Sequence, residues 1–149
     1  MEKIHFHGLS MQVPQSWRHK TLEYSAEDGA DSFGFEMCTK GRDAKSINLS
    51  WGVMPEGTNA YTEACVTYEQ VVGEEDLTEN DQTIMSFRFQ DHEAHGFDVC
   101  TESGHPGFFF CVELPSASGN ILLTALVCAT NLKELEELLD YVEAHLNVE

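Results

Sequence analysis

Positive charge is the feature that this sequence has least of. Its 149 residues include 8 Lys and Arg against 26 Asp and Glu, which gives a formal net charge of −18 with neutral histidines. Each phosphate that a nucleic-acid-binding protein contacts needs a cationic side chain, and anionic lipid attracts basic patches. The composition argues against both partners, so we expect an acidic protein that binds neither nucleic acid nor a membrane.

Long apolar runs are missing as well. The longest, Ile121 to Ala129, has the length of a core strand and falls short of the roughly 18 residues that a spanning helix needs. The first residues, Met1 to His5, contain no apolar core of a signal peptide. The five cysteines are an odd number without a CxxC pair. We therefore expect a cytoplasmic protein whose thiols are small apolar side chains, with a disulfide or redox role as the alternative.

Sequence signals for catalysis and for cofactor binding are absent too. No Ser, Cys or Thr stands in a strand-to-helix elbow of the kind that exposes a nucleophile. No glycine-rich segment has the spacing that cradles a phosphate group. The segment from Gly104 to Gly107 has the composition of a tight turn between two strands. The sequence therefore predicts no cofactor and favours a non-catalytic protein.

What the sequence does contain is alternation of apolar and polar residues, which is the pattern of half-buried β-strands. The alternating apolar positions are Leu9, Met11 and Val13; Phe33, Phe35 and Met37; Ile47, Leu49, Trp51 and Val53; Met85, Phe87 and Phe89; Phe97 and Val99; and Phe108, Phe110, Val112 and Leu114. The run from Ile121 to Cys128 is apolar at both parities, which predicts a strand at the centre of the sheet.

Two segments have helical spacing instead. The segment 59–72 repeats apolar residues every three to four positions, and Thr58 or Asn59 is available to cap a helix there. The segment 132–146 carries a long stripe of leucine and valine, and Asn131 and Glu134 stand at its start with the spacing of a capping box. The order of strands, helix, strands and helix predicts a single α+β domain, residues 1–149. Its antiparallel meander carries a middle helix and an amphipathic C-terminal helix, and we expect both helices to shield the same face.

Two short motifs resemble a known fold. An opening strand that leads into Val13-Pro14-Gln15-Ser16-Trp17 resembles the P-x-x-W start of the Mog1/PsbP-like fold, and the turn His95-Gly96-Phe97-Asp98 is similar to an element of its second half. That group includes small bacterial domains of unknown function, among them cytosolic chaperones of type VI secretion effectors. The resemblance implies an antiparallel α+β fold that serves as a binding module or assembly factor, and it supplies no catalytic residues.

His92 and His95, preceded by Asp91, are the metal-ligand candidates. Two imidazoles with a carboxylate nearby can chelate zinc or another divalent ion, so a metal-dependent enzyme or metal sensor is our second hypothesis. Zinc-protease motifs place two histidines four positions apart on a helix, whereas these are three apart in a predicted hairpin. A solvated polar turn is therefore the interpretation that the residues favour.

Apolar residues on both faces of the predicted sheet suggest a docking surface. Phe109 lies in a run of three phenylalanines, so a strand presents it on the face opposite its neighbours, together with Cys111. Leu122 and Leu126 of the following strand join them there. If the helices pack on the other face, this one is covered by loops of the chain or by the second helix, or it is an exposed apolar concavity that receives a partner segment or a dimer mate.

Acidic residues crowd the segment between the first helix and the strand that starts at Met85. Glu74, Glu75 and Asp76 lead this segment, which forms either a solvated loop or an acidic rim that steers a basic partner. Our leading hypothesis is a non-catalytic protein-binding, chaperone-like or adaptor module. It would present a sheet face with an acidic rim to an apolar or basic protein segment. A purely self-associating subunit, such as a homodimer, is the third hypothesis.

Overall fold

The computed structural model describes residues 2–25, 31–39, 45–72, 84–101, 104–117 and 119–149. In chain order the strands are β1 (Glu2–Phe6), β2 (Leu9–Val13), β3 (Trp17–Ser25), β4 (Asp31–Thr39), β5 (Ser46–Val53), β6 (Met85–Phe89), β7 (His92–Cys100), β8 (Pro106–Leu114), β9 (Ile121–Cys128) and β10 (Asn147–Val148). The helices are α1 (Ala60–Val72), between β5 and β6, and α2 (Leu132–His145), between β9 and β10. The predicted α+β fold, with an antiparallel meander, a middle helix and a C-terminal helix, is confirmed. Neither helix in these ranges is long and apolar enough to cross a membrane.

The larger sheet is antiparallel and has two halves joined at its centre. Within the described ranges its seven strands follow the order β3-β4-β5-β9-β8-β7-β6. The doubly apolar strand β9 pairs with β5 on one side and β8 on the other, so its predicted central position is confirmed. Helix α1 carries the chain from β5, near the middle of the sheet, to β6 at one edge. This crossover leaves β6 as an edge strand that pairs with β7.

An N-terminal hairpin forms a second, smaller sheet. β1 and β2 pair around the two-residue turn His7–Gly8, and β10 adds to the other side of β2. Both turn residues have positive φ, 46° at His7 and 83° at Gly8, which is the conformation of tight hairpin turns that match the twist of the strands. The indole Nε1 of Trp51 donates to the His7 carbonyl at 3.1 Å and attaches the hairpin to β5.

The two helices lie on opposite faces of the large sheet, so the expectation that both shield the same face is wrong. Consecutive residues of β8 divide the faces. Phe110 belongs to the core that α2 covers through Leu135, Leu138 and Val142. Cys111 belongs to a separate cluster under α1, which also holds Ala60, Ala64, Tyr68 and Phe97. The physical reason is that each helix has one apolar stripe, whereas strands that are apolar at both parities need cover on both sides.

The start of α2 has the predicted capping box. The side chain of Asn131 accepts a hydrogen bond from the Glu134 N–H at 2.9 Å, and its amide donates to the Glu134 carboxylate at 2.9 Å. The Thr130 hydroxyl donates to the same carboxylate, and Lys45 Nζ lies 3.0 Å from it. Hydrogen bonds from Thr130 and then Lys45 hold the pKa of Glu134 below its ordinary value. Both the backbone N–H and the side-chain carboxylate of Glu134, in the first turn of α2, therefore have partners.

Replacing this cap tests how much the first turn contributes. We expect Asn131→Ala to lower the free energy of unfolding by about 1 kcal/mol, because the Glu134 N–H loses its partner. Urea denaturation measures the change, and Asn147→Ala, at an exposed asparagine of β10, is the matched control. Equal losses in the two variants would contradict a specific role for the cap.

Candidate functional site

The three metal-ligand candidates do not converge in the structure. Side chains alternate along a strand, so His92 shares a face of β7 with Ala94, in the core under α2, whereas His95 faces α1 with Phe97. Asp91 lies in the preceding turn, with a φ of 67°. Throughout the described ranges, no three His, Cys, Asp or Glu side chains form a group that could hold a metal ion. A spacing of three, which would bring two ligands together on a helix, separates them on a strand.

His95 instead belongs to a polar cluster beside the start of α1. Its side chain is buried, with the residue 8% exposed, and its Nδ1 lies 2.9 Å from the Ser86 hydroxyl on β6. Its Nε2 lies 3.1 Å from a Glu93 oxygen, and the ring of Tyr61 meets it edge-on at 5.3 Å. These groups line a cavity of about 500 Å³ together with Glu113. Both ring nitrogens of a buried histidine are therefore partnered.

The order Ser86, His95, Glu93 has the connectivity of a catalytic triad, but the cavity does not suit acyl transfer. A tetrahedral intermediate needs hydrogen-bond donors where its negative charge develops. Here the carboxylates of Glu93 and Glu113 line the space beside the hydroxyl and would repel that charge. We therefore interpret the cluster as a network that satisfies a buried imidazole between two strands and a helix.

The predicted docking face is covered in part by α1. Cys111 is 0% exposed beneath this helix, so of the alternatives left open for this face, cover by the chain itself holds at Cys111. Phe109 and Leu122 are half-buried and pack against the same cluster, with the Phe109 ring 5.2 Å from that of Phe97. The covering element is the crossover helix, which we expected on the other face.

Beyond α1 the same face is open but shallow. Phe109 and Leu126 line a depression of about 200 Å³ there, beside Leu22 and Tyr24 of β3. Its floor is partly polar, since the hydroxyls of Ser50 and Thr124 lie 2.9 Å apart across β5 and β9. The carboxylate of Glu36 at its border is paired with Lys20 at 3.3 Å. The three acidic residues predicted to form a rim, Glu74, Glu75 and Asp76, lie outside the described residues.

A groove larger than this depression lies on the opposite face, between the edge strand β6 and α2. Its volume is about 450 Å³. Its floor is aromatic, because the ring of Phe87 meets those of Phe108 and Phe110 at 5.6 Å each. At the first residues of β6 and α2, Met85 is 40% exposed and Leu132 is 68% exposed. The groove exists because α2 packs over β8, β9 and β2 and stops short of the sheet edge.

Carboxylates surround this apolar floor. Glu136, Asp140 and Glu143 line it from α2, and Asp98 lines it from β7. Arg88 of β6 is the one cation among the described residues that line it. The acidic border expected on the face of Phe109 thus has a counterpart on the other side of the sheet. We call this region, between β6 and α2, the acidic groove.

The sequence carries a signal for the acidic groove in the segment of α2. Its acids have the spacing of a solvated helix face, but the stripe that contains Leu132 and Leu139 is wider than one row of buried contacts. Helix acids beside apolar residues look the same in sequence whether they face bulk water or border a groove. Only the position of α2 relative to β6 separates the two cases.

The turn between β6 and β7 fixes one end of the acidic groove. Gln90 and Asp91 both have positive φ, 49° and 67°, a conformation that is unfavourable for residues other than glycine. The Gln90 N–H donates to a Glu143 carboxylate oxygen at 2.7 Å. Its side-chain amide donates to the Glu143 and Leu146 carbonyls at 2.9 and 2.8 Å. Carbonyls in the last turn of a helix lack partners within the helix. The β6–β7 turn therefore caps α2, and these hydrogen bonds offset the conformational strain at Gln90 and Asp91. We call the three hydrogen bonds of Gln90 the clamp.

Removing the side-chain part of this clamp should destabilise the protein. We expect Gln90→Ala to lower the free energy of unfolding by about 1–3 kcal/mol, because two carbonyls at the end of α2 lose their donor. Urea denaturation gives the value. Asp91→Ala, at the neighbouring positive-φ position, is the control and should cost less; a larger cost in the control would show that turn strain outweighs the clamp.

Burial also sets the chemistry of Cys111. Burial, and to a smaller extent the negative charge of the Glu63 carboxylate, raises the pKa of this thiol from 9.0 to about 12. The neutral thiol favours the folded state, so its contribution to stability is complete below pH 9.0 and is lost as the pH rises towards about 12.

We expect an alkylating reagent near neutral pH to modify exposed Cys100 in the folded protein and to modify Cys111 only after unfolding, because the reagent attacks thiolates. Peptide mapping by mass spectrometry measures both rates. Comparable rates in the folded protein would show that α1 does not cover Cys111.

Comparison with known proteins gives little beyond this geometry. Neither a protein-family model nor a curated protein matches the chain. A crystal structure of a protein from Bacteroides thetaiotaomicron is similar, with 16% sequence identity, a TM-score of 0.48 and coverage of 95% of this chain. The chain spans 45% of that protein's length. A likeness at this level carries no argument about function.

Proposed function

We propose that this protein is a non-catalytic protein-binding module. Its acidic groove would receive a segment of a partner protein that is apolar and flanked by basic residues. One observation carries the proposal: an aromatic floor and a border of carboxylates occur in the same cavity of about 450 Å³. Apolar floors gain free energy from losing contact with water, and acidic borders select cations, so the two properties together define the chemistry of the occupant.

Exposed apolar side chains in the acidic groove favour an apolar occupant. Met85 and Leu132 are exposed where the partly buried Phe87 and Leu139 continue the same apolar surface. Isolated exposed apolar residues are common on proteins, whereas contiguous apolar surface bordered by polar groups marks interaction sites. The depression beside Phe109 has less than half the volume and a partly polar floor, so it is the weaker candidate.

The charges around the acidic groove determine which charge the partner segment should carry. Four acidic residues and one arginine line the acidic groove, and the whole chain has a net charge of −18. Such a field accelerates encounter with basic segments and opposes encounter between two copies of this chain. A basic partner is therefore favoured over the homodimer of the third hypothesis.

A metal-dependent function is less well supported. It needs Asp91, His92 and His95 to share one site, and the two imidazoles lie on opposite faces of β7.

We also propose a chaperone-like role and a cytoplasmic location for this protein. The resemblance to Mog1/PsbP-like domains supports the role, and the five free thiols suit a reducing compartment.

Selection from a library of random displayed peptides tests the proposal even though the partner is not identified. We expect peptides that combine apolar residues with Lys or Arg to be enriched on the wild-type protein. Leu132→Glu should weaken their binding about tenfold or more, because losing the apolar contact of Leu132 costs more than the attraction of one added surface carboxylate returns.

The matched control is Val53→Glu, which introduces the same kind of change at a side chain that is 79% exposed and outside the acidic groove. The selected peptides should bind this variant as they bind the wild type. Enrichment of acidic peptides, or peptides that bind Leu132→Glu and the wild type equally, would rule out the acidic groove as the docking site.

A further inference from the structure

Within the part of the chain that the structure describes, the outer edge of β6 has backbone groups without a hydrogen-bond partner, beside the acidic groove. The two-residue turn pairs Phe89 with the first residue of β7, and such a turn is closed by a hydrogen-bonded pair. Because hydrogen-bonded and non-bonded pairs alternate along antiparallel strands, Phe87 and Met85 also bond to β7. The N–H and C=O groups of Ser86 and Arg88 therefore point away from β7. Among the described strands, β6 pairs with β7 alone.

We propose that the partner segment binds as an extended strand that hydrogen-bonds to the outer edge of β6, an inference that rests on the proposed function. The backbone of the segment pairs with Ser86 and Arg88 and adds an eighth strand to the seven described in the large sheet. Every second side chain of the segment then enters the acidic groove. The intervening side chains lie on the opposite face of the sheet, beside the Ser86 hydroxyl.

The side chains that enter the acidic groove follow from its lining. Most are apolar, because they meet Phe87 and the leucines of α2. A lysine or arginine at one of these positions lays its stem on the apolar floor and brings its charge to Glu136 or Asp140. The class of partner is therefore an extended segment in which apolar residues alternate with other residues and which carries basic groups.

A strand suits this site better than a helix. A helix satisfies its own backbone groups, so it would cover the outward N–H and C=O groups of Ser86 and Arg88 without bonding to them. Leaving such groups without water or a partner is costly. An added strand bonds to them and occupies the acidic groove with the same contact.

The edge also lacks the usual protection against strand addition. Proteins guard edge strands with proline, bulges or inward charges. Residues Met85 to Phe89 contain no proline and pair with β7 in unbroken register. The single charged residue, Arg88, is turned towards the hairpin, where its guanidinium donates to the Asp91 carbonyl at 2.5 Å. An unguarded edge beside an apolar groove is the arrangement that strand addition requires.

Two variants of one residue separate backbone pairing from side-chain contact. Ser86→Pro removes an outward N–H, a change that edge strands tolerate, whereas Ser86→Ala keeps this N–H and removes the hydroxyl. The probes are two peptides of identical composition, equal numbers of valine and lysine. In the alternating peptide valine and lysine alternate, with one neighbouring pair exchanged so that one lysine falls among the groove-facing valines. In the other peptide valine has the spacing of an amphipathic helix.

We expect the alternating peptide to bind Ser86→Pro more weakly than Ser86→Ala by about tenfold or more, because both variants lack the hydroxyl and only Ser86→Pro lacks the outward N–H. The helical-spacing peptide should bind more weakly than the alternating one. Fluorescence titration gives the affinities, and slowed amide exchange at Ser86 and Arg88 in the complex reports the added strand. If Ser86→Pro does not fold, N-methylation of every second amide, on the side of the alternating peptide that faces β6, removes the donors to the Ser86 and Arg88 carbonyls and should abolish binding to the wild type.

Each contrary result points to a different failure. Tighter binding of the helical-spacing peptide, with no effect of Ser86→Pro, would overturn strand addition while keeping the acidic groove as the docking site. If each peptide binds Leu132→Glu as tightly as it binds the wild type, the proposed function itself is overturned. Binding of the alternating peptide that N-methylation leaves intact would overturn strand addition alone.

Discussion

The large sheet has more apolar surface than two helices can cover, and this shortage determines the rest of the structure. β9 is apolar at both parities and lies at the centre, so each face needs a helix. α1 covers the β7–β8 side of one face, and α2, with the N-terminal hairpin, covers the middle of the other. Neither helix reaches the whole of its face. Among the described residues, the surface left uncovered includes the shallow depression beside Phe109 and the acidic groove beside β6.

The clamp at Gln90 turns one of these remainders into a defined cavity. It joins the end of the outermost hairpin to the last turn of α2, so the helix cannot move over β6 without breaking three hydrogen bonds. The strained turn is retained because its amide groups cap a helix that ends at His145 without the glycine that commonly completes a C-terminal cap. The positive φ angles of these two non-glycine residues are unfavourable, but the hydrogen bonds of the turn fix the distance between β6 and α2.

The sequence predicted the features that depend on local pattern. The capping box at Asn131 and the central place of β9 are both confirmed, since each follows from neighbouring residues alone. The predicted side of the sheet for α1 was wrong, because its apolar stripe fits either face and only the path of the chain to β6 decides. The prediction that His92 and His95 share one turn was also wrong, since the strand starts at His92 and separates them. The acidic groove depends on how far α2 lies from the sheet edge, a distance that no local spacing encodes.

Net charge and the unguarded edge of β6 are linked. Apolar edge strands tend to pair with copies of themselves, and proteins usually prevent this by placing charges or proline on the strand. Here the strand is regular and carries one charge, on Arg88, which is turned towards the hairpin. The opposing charge lies on the neighbouring helix, at Glu136, Asp140 and Glu143. Two copies brought together along β6 would bring these carboxylates together as well, within a pair of chains of −18 each. The same acids that oppose pairing of like copies attract a basic segment, so one set of charges protects the edge and selects its partner.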